Sequence, residues 1–283
     1  MKAFNNIGKY DKTFCALVRF VSERLGYTDR KTHSIRSYSP KEIAEVLESN
    51  GILVDDRLIL SCSAYSVQRK DLINNYVRKN LMCAVEAEEC FFEVEKEFSD
   101  RFKGRKPQCS FPYNKQKGDK KKLAYLTCIV NLLAEMTLLE LGKSTIGKLG
   151  FVDDPRHLAT YTNADGVLIF TSSRRFDGAY PSLDNSELLW EIKEYYYTTT
   201  FGSRISDGIY ESLLDGYEFN ELFETFGVKP YHIMFIDAKY TWWDCGKSYL
   251  CRIVDMLNFG LIDEVIVGRE VLTRWPELIK ELA

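Results

Sequence analysis

The sequence predicts an α+β fold: a mixed central sheet with flanking helices, preceded by a helical region. Three observations carry this. Across the first hundred residues apolar side chains recur at three and four, the helical period. After Gly150 short apolar runs of strand character alternate with helical stretches, the pattern of a sheet with helices on its faces. Between the two lies a stretch rich in lysine and broken by Gly104, Pro107, Pro112 and Gly118. The chain divides accordingly into a helical region (1–100), a basic connector (101–122) and a second domain (123–283).

In the helical region, Phe14, Leu17, Val18, Phe20, Val21 and Leu25 fall largely on one helical face. A second helix is announced by Ser39-Pro40-Lys41-Glu42, which combines an N-cap serine, proline at the first helical position and glutamate three residues after the cap. Asn50-Gly51 marks its end. ILVDDRLIL (52–60) reads as a small insert of β-hairpin type. From Val67 to Phe98 the apolar spacing predicts one long helix or two in series. KKLAYLTCIVNLLAEMTLLELG (121–142) predicts a helix buried on most sides. Then follow a strand in ADGVLIF (164–170), a strand in ELLWEIKEYYY (187–197) and helix across 203–226. YHIMFIDAKY (231–240) is a third strand, GKSYLCRIVDMLNFG (246–260) a helix and DEVIVG (263–268) a last strand.

At 283 residues, 45% hydrophobic and 28% charged, the chain has ample material for a packed core. No apolar run approaches the roughly 18 residues of a membrane span, and the first residues lack the apolar segment of a signal peptide. Eight cysteines without a CxxC and only three histidines leave a structural zinc site without support. Reduced thiols in a cytoplasmic protein are the expectation. The net charge of −3 hides an uneven distribution. Residues 101–122 hold nine basic and one acidic residue, while 123–283 hold 14 and 24. A phosphate backbone responds to the local sign rather than to the sum.

One strand carries charges that its apolar neighbours do not explain. Side chains alternate along a strand, so Glu191 and Lys193 share one face and Trp190 and Ile192 the other. Asp165 opens the preceding strand, and the expected hairpin between 164–170 and 187–197 sets Asp165 beside Glu191 and Lys193. Two carboxylates with waters and a substrate phosphate suit Mg²⁺. Such an ion lowers the pKa of a bound water and screens a phosphoryl transition state, and a neighbouring lysine supports the same charge. Hydrolysis of a phosphodiester fits this trio best. The alternative for Glu191 and Lys193 is a cross-strand ion pair on a solvated sheet face.

Asp165, a spacer of 25 residues and then Glu191-Ile192-Lys193 resembles the PD-(D/E)XK nuclease superfamily, with Ala164 where the motif often has proline. The order of elements over about 120–268 is similar to that family's restriction-endonuclease-like core. The resemblance implies a Mg²⁺-dependent endonuclease with Asp165 and Glu191 as metal ligands and Lys193 as the catalytic lysine. It makes 123–283 the nuclease domain and leaves 1–100 for DNA recognition or dimerisation. Asp237-Ala238-Lys239 is a competing acid-x-lysine pair on a strand, and Glu135 is a further acid that the helix before the sheet could supply.

For double-stranded DNA, the candidate contacts are Lys120, Lys121 and Lys122 of the connector, Arg174 and Arg175, and Thr199, Ser203 and Arg204 just after the central strand. Ordinary loop polarity is the alternative for these. Trp242 and Trp243 read as core rather than as stacking platforms. A type II restriction enzyme acting as a homodimer, with a companion DNA methyltransferase, is the expected identity. A phage-defence or structure-selective nuclease, or an inactive DNA-binding protein of the same fold, is the alternative.

Overall fold

A computed structural model describes residues 1–4, 10–116, 121–198 and 201–282, except for the side chain of Arg204. The α+β class holds: helices surround two small sheets, of which the larger is four-stranded and mixed. Among the described residues no helix is long and apolar enough to cross a membrane.

The helical region builds α1 (Lys12–Leu25), α2 (Pro40–Glu48) and α3 (Asp56–Leu72). The expected start of α2 is realised as a capping box. Ser39 accepts from the Glu42 amide, and the Glu42 carboxylate accepts from the Ser39 amide at 2.8 Å. The hairpin expected at 52–60 is absent: residues 52–55 are irregular, Asp55 caps a helix, and RLIL lies in the first turns of α3. Asp55 offers its side chain to the Arg57 amide, and that cap outcompetes the strand character of a four-residue apolar run. The long apolar spacing from 67 to 98 resolves into helices in series. After α3 come a π-helical turn (Ile73–Val77) and the short α4 (Arg78–Asn80), and then α5 (Ala84–Arg101).

Past the connector runs α6 (Tyr125–Glu140), whose residues from Tyr125 to Leu138 are almost all buried. β1 (Thr160–Thr162) and β2 (Leu168–Thr171) form an antiparallel pair by themselves. The four-stranded sheet is β3 (Gly178–Tyr180), β4 (Leu188–Glu194), β5 (Tyr231–Asp237) and β6 (Glu264–Val267), in that order. β3 and β4 are antiparallel, and β5 and β6 run parallel to β4. The two parallel steps are made by helical crossovers: α7 (Ser203–Phe226) before β5, and α8 (Lys247–Asn258) before β6. α9 (Val271–Leu282), for which the sequence pattern gave no expectation, follows β6.

The hairpin expected between 164–170 and 187–197 does not form. β2 pairs with β1, and the antiparallel partner of β4 is the three-residue β3. Two cores sandwich the sheet. Ile233, Phe235, Trp190 and Ile266 pack with α5, α6 and α9 on one face. Met234, Ile236, Val265 and Val267 pack with α1, α3 and α8 on the other. Arg69 of α3 ties the helical region to α8, donating to both carboxylate oxygens of Asp255 at 2.9 Å with no side-chain exposure of its own. Tyr65 adds a 2.6 Å bond to the same carboxylate. Removing either ionic partner would strand a buried charge.

Candidate active site

The site is built on the β3–β4 hairpin. The parallel register sets Glu191 beside Met234 and Lys193 beside Ile236, while Trp190 sits beside Ile233 on the opposite face. Trp190 is fully buried and packs edge-on against Trp275 at 5.2 Å, which fixes the strand to the core. On β3, Gly178 pairs with Trp190; a Cβ there would lie 2.0 Å from the indole ring. The strand closes on β4 because that side chain is missing.

One residue before this glycine stands Asp177. Its amide donates to Trp190 O at 3.0 Å, and its carboxylate accepts from the Ile192 amide at 2.7 Å. The antiparallel register carried one step back from Gly178 places Asp177 across from Glu191. Both carboxylates and Lys193 line a cleft of about 1620 Å³. Asp177 is exposed in it, whereas Glu191 and Lys193 lie at its buried floor.

Cations hold Glu191 from two sides. Lys193 Nζ is 3.1 Å from Oε2, and Arg174 Nη2 forms an ion pair with Oε1. Arg174 is anchored in turn by Asp215 of α7, donating through Nε to both carboxylate oxygens at 3.1 Å. α7 closes the other side of Lys193: Glu211 is 3.7 Å from Nζ, and a Cβ on Gly208 would sit 3.3 Å from it. Burial, with Asp177 adding like-charge repulsion, pushes the Glu191 carboxyl up to about 8 against the pull of Lys193 and Arg174. Burial works to lower the Lys193 pKa, yet the adjacent Glu191 keeps it above the ordinary lysine value. The lysine is therefore an ammonium, suited to stabilising negative charge rather than to taking up a proton.

At the end of β4, Glu194 accepts from the Thr127 amide (2.8 Å) and hydroxyl (3.0 Å) in the first turn of α6. Burial raises it to about 7. Gln116 joins the connector to this edge, donating to Glu194 O at 2.6 Å.

Residues 84–282 match a family described as a domain of unknown function (DUF7687), and residues 1–76 match a second family so described (DUF7690). The chain belongs to the DUF7687 family. No curated protein and no solved structure matches it.

Within the DUF7687 domain the residues singled out in the sequence separate sharply. Glu191 and Lys193 meet as expected. Asp165 does not join them: it is exposed in the turn between β1 and β2, where its amide donates to Asn163 Oδ1 at 3.0 Å. The aspartate that the register sets across from Glu191 is Asp177. Glu135 is buried away from the cleft lining, accepting from the Gln108 and Cys109 amides at 2.9–3.0 Å and so fixing the connector. Asp237 is likewise consumed, by the Met82 and Ala238 amides (both 2.8 Å) and the Tyr196 hydroxyl (2.5 Å). Lys239 is exposed beyond it.

Among the DNA-contact candidates, Arg174 is turned inward to Glu191 and Asp215, whereas Arg175 and Ser203 are exposed at the cleft. Lys121 is exposed, and Lys122 pairs with Glu88 at 3.0 Å. Lys120, Thr199 and the side chain of Arg204 lie outside the described residues. Trp242 is core, as expected, and Trp243 is flanked by Arg78 and Lys247.

Proposed function

We propose that this protein is a Mg²⁺-dependent endonuclease of the PD-(D/E)XK kind that hydrolyses duplex DNA, with Asp177 in the position first expected of Asp165. The reading rests on one observation: Asp177, Glu191 and Lys193 come together on a single hairpin, on the wall of one cleft. The order of α6, the β3–β4 hairpin, crossover α7 and parallel β5 supports the restriction-endonuclease-like version of this fold.

The donor set suits Mg²⁺, which binds one or two carboxylates and keeps several waters. Asp177 and Glu191 would hold the ion, with water and substrate oxygens supplying its other ligands. A divalent cation held by Asp177 and Glu191 would offset the like-charge repulsion that helps push Glu191 up to about 8. Bound there, Mg²⁺ supplies an acidified water and screens the phosphoryl charge. The chain's own residues do the rest. Lys193 presents its ammonium to the phosphate oxygens, and Asp177 pins β3 to β4 through the Ile192 amide. Arg174, held by Asp215, fixes one Glu191 oxygen.

The expected biological setting is a sequence-specific restriction enzyme with a companion methyltransferase, in the cytoplasm. The eight unpaired cysteines are in keeping with that compartment. One observation favours a second reading, a DNA-binding protein without activity: both oxygens of Glu191 already face cations of the chain itself.

Incubation with unmethylated plasmid and phage DNA plus Mg²⁺, followed by sequencing of the ends, separates these. Cleavage at one fixed sequence is expected for restriction, and ragged or junction-centred ends for a defence or structure-selective nuclease. Salt-dependent binding without Mg²⁺-dependent cleavage would sink the nuclease reading.

A further inference from the structure

Two cations hold Glu191, and they are not equally committed to it. Lys193 stands on β4 itself with 9% of its side chain exposed, wedged between Glu191 and α7 at Gly208 and Glu211. Arg174 reaches in from the loop between β2 and β3, keeps 22% of its side chain exposed and lines the cleft. Its contact with Glu191 is also the less complete. Nη2 and Oε1 are shut off from solvent, yet among the described residues neither has an aligned hydrogen-bond partner. They meet as charges alone.

The anchor of Arg174 lies elsewhere. Nε donates to both oxygens of Asp215, which is buried on α7, and Nη1 donates to Arg175 O at 3.1 Å. The backbone of the loop is pinned as well: Ser172 Oγ donates to Arg174 O at 2.9 Å, and the Ser173 amide to Glu218 at 3.3 Å. If Arg174 lets go of Glu191 it stays paired with Asp215, so neither is stranded as a buried charge. Lys193 has no such second home, since Glu211 is 3.7 Å away and half exposed.

We propose that Arg174 is a place-holder for the metal ion on Glu191. Until the ion arrives it fixes that carboxylate. Nη2 then gives up Oε1, and the freed guanidinium edge, still held at Asp215, takes a phosphate oxygen of the duplex. The inference rests on the nuclease reading and adds a coupling to it. A dication beside Lys193 is repelled by Arg174 for as long as the guanidinium stays on Glu191. A phosphate that draws Arg174 away removes that repulsion. Metal and nucleic acid therefore strengthen each other's binding, and by the same factor.

Calorimetric titration of the full chain with Mg²⁺ alone tests the displacement. An oxygen covered about nine-tenths of the time lowers the apparent affinity about tenfold, so Arg174→Gln is expected to bind Mg²⁺ about tenfold more tightly than wild type. The double variant Arg174→Gln/Asp215→Asn, which strands no carboxylate on α7, is expected to do the same. Fluorescence anisotropy of a labelled duplex tests the coupling, with Ca²⁺ as a dication for the same oxygen ligands. Ca²⁺ is expected to tighten duplex binding about tenfold in wild type and less than about twofold in Arg174→Gln. Mg²⁺ binding that is unchanged or weaker in both folded variants, or an equal gain from Ca²⁺, overturns the proposal and leaves the nuclease reading standing. Wild type and variants that all fail to bind Mg²⁺ overturn both. Circular dichroism establishes that each variant is folded.

Discussion

Neighbouring strands carry the same short pattern, an acid, one residue and a lysine, and put it to opposite uses. On β4 it is Glu191-Ile192-Lys193; at the end of β5 and just past it, it is Asp237-Ala238-Lys239, with Glu194 and Asp237 adjacent in register. Both acids are buried and both are pushed up by desolvation, to about 8 and about 7. Their partners differ. Asp237 receives two amides and a phenol, so its lone pairs are spent on holding the chain entry to α5 and the Tyr196 ring in place. Glu191 meets only cations, beside a second carboxylate and an open cleft. Neutral donors that saturate an acid make it structural. An acid held by cations at a cavity wall can exchange one of them for another, which is what the proposed Mg²⁺ site requires.

The sharpest way to break this contrast is at the two lysines. Lys193→Ala is expected to lower Mg²⁺-dependent DNA cleavage by about a thousandfold, the scale of losing a group that stabilises transition-state charge. Lys239→Ala should leave the rate within about twofold, since its side chain is exposed outside the cleft lining. Equal losses in a plasmid-nicking assay would erase the distinction. Next come the two aspartates. Asp177→Asn should cost about a hundredfold or more with a raised Mg²⁺ requirement, while Asp165→Asn, in an exposed turn, should be neutral. Full activity of folded Asp177→Asn protein would move the second ligand elsewhere.

Stability tests sharpen the other arm. Asp237→Ala leaves two amides and a hydroxyl without their acceptor, and should cost about 3 kcal/mol in denaturant unfolding. The corresponding fall in Tm is roughly 6–12 °C for a chain of this size.

The same carboxyl makes stability depend on pH. The folded pKa of Asp237 stands near 7, above its ordinary 3.8, so the folded state binds the proton more tightly than the unfolded one. Its contribution is present at low pH and is lost as pH rises from about 4 to 7, by at most about 1.4 kcal/mol per pH unit. Chemical denaturation of wild type and Asp237→Asn across that window should show their gap moving in the variant's favour as pH rises. A constant gap would mean that Asp237 is ionised throughout.

These differences in partners are what a linear sequence hides. The β4, β5 and β6 strands, α6 and the capping box of α2 were legible because their periods run long enough to be counted or their caps are chemically specific. Glu191 and Lys193 were legible for the same reason, as charges that break an apolar strand. Asp177 was not. Its strand has three residues, Gly178-Ala179-Tyr180, too few to show alternation, and FDGAYP reads as a turn. ADGVLIF offered a longer apolar run with an aspartate at its head, and drew the assignment to Asp165. The buried fates of Glu135 and Asp237 depend on amides distant in the chain, at Gln108 and Met82, which no local spacing announces.

The gap at Gly178 has a consequence for how such a chain can vary. The indole of Trp190 occupies the volume where a side chain at 178 would stand. Neither position can drift alone: a methyl at 178 must wait until 190 has shrunk, and a smaller residue at 190 opens a hole against Trp275. Substitution history at the hairpin should therefore run through paired changes, Gly178→Ala tolerated with Trp190→Leu and not without it. The distance between two acids is guarded by a pair of residues that carry no charge at all.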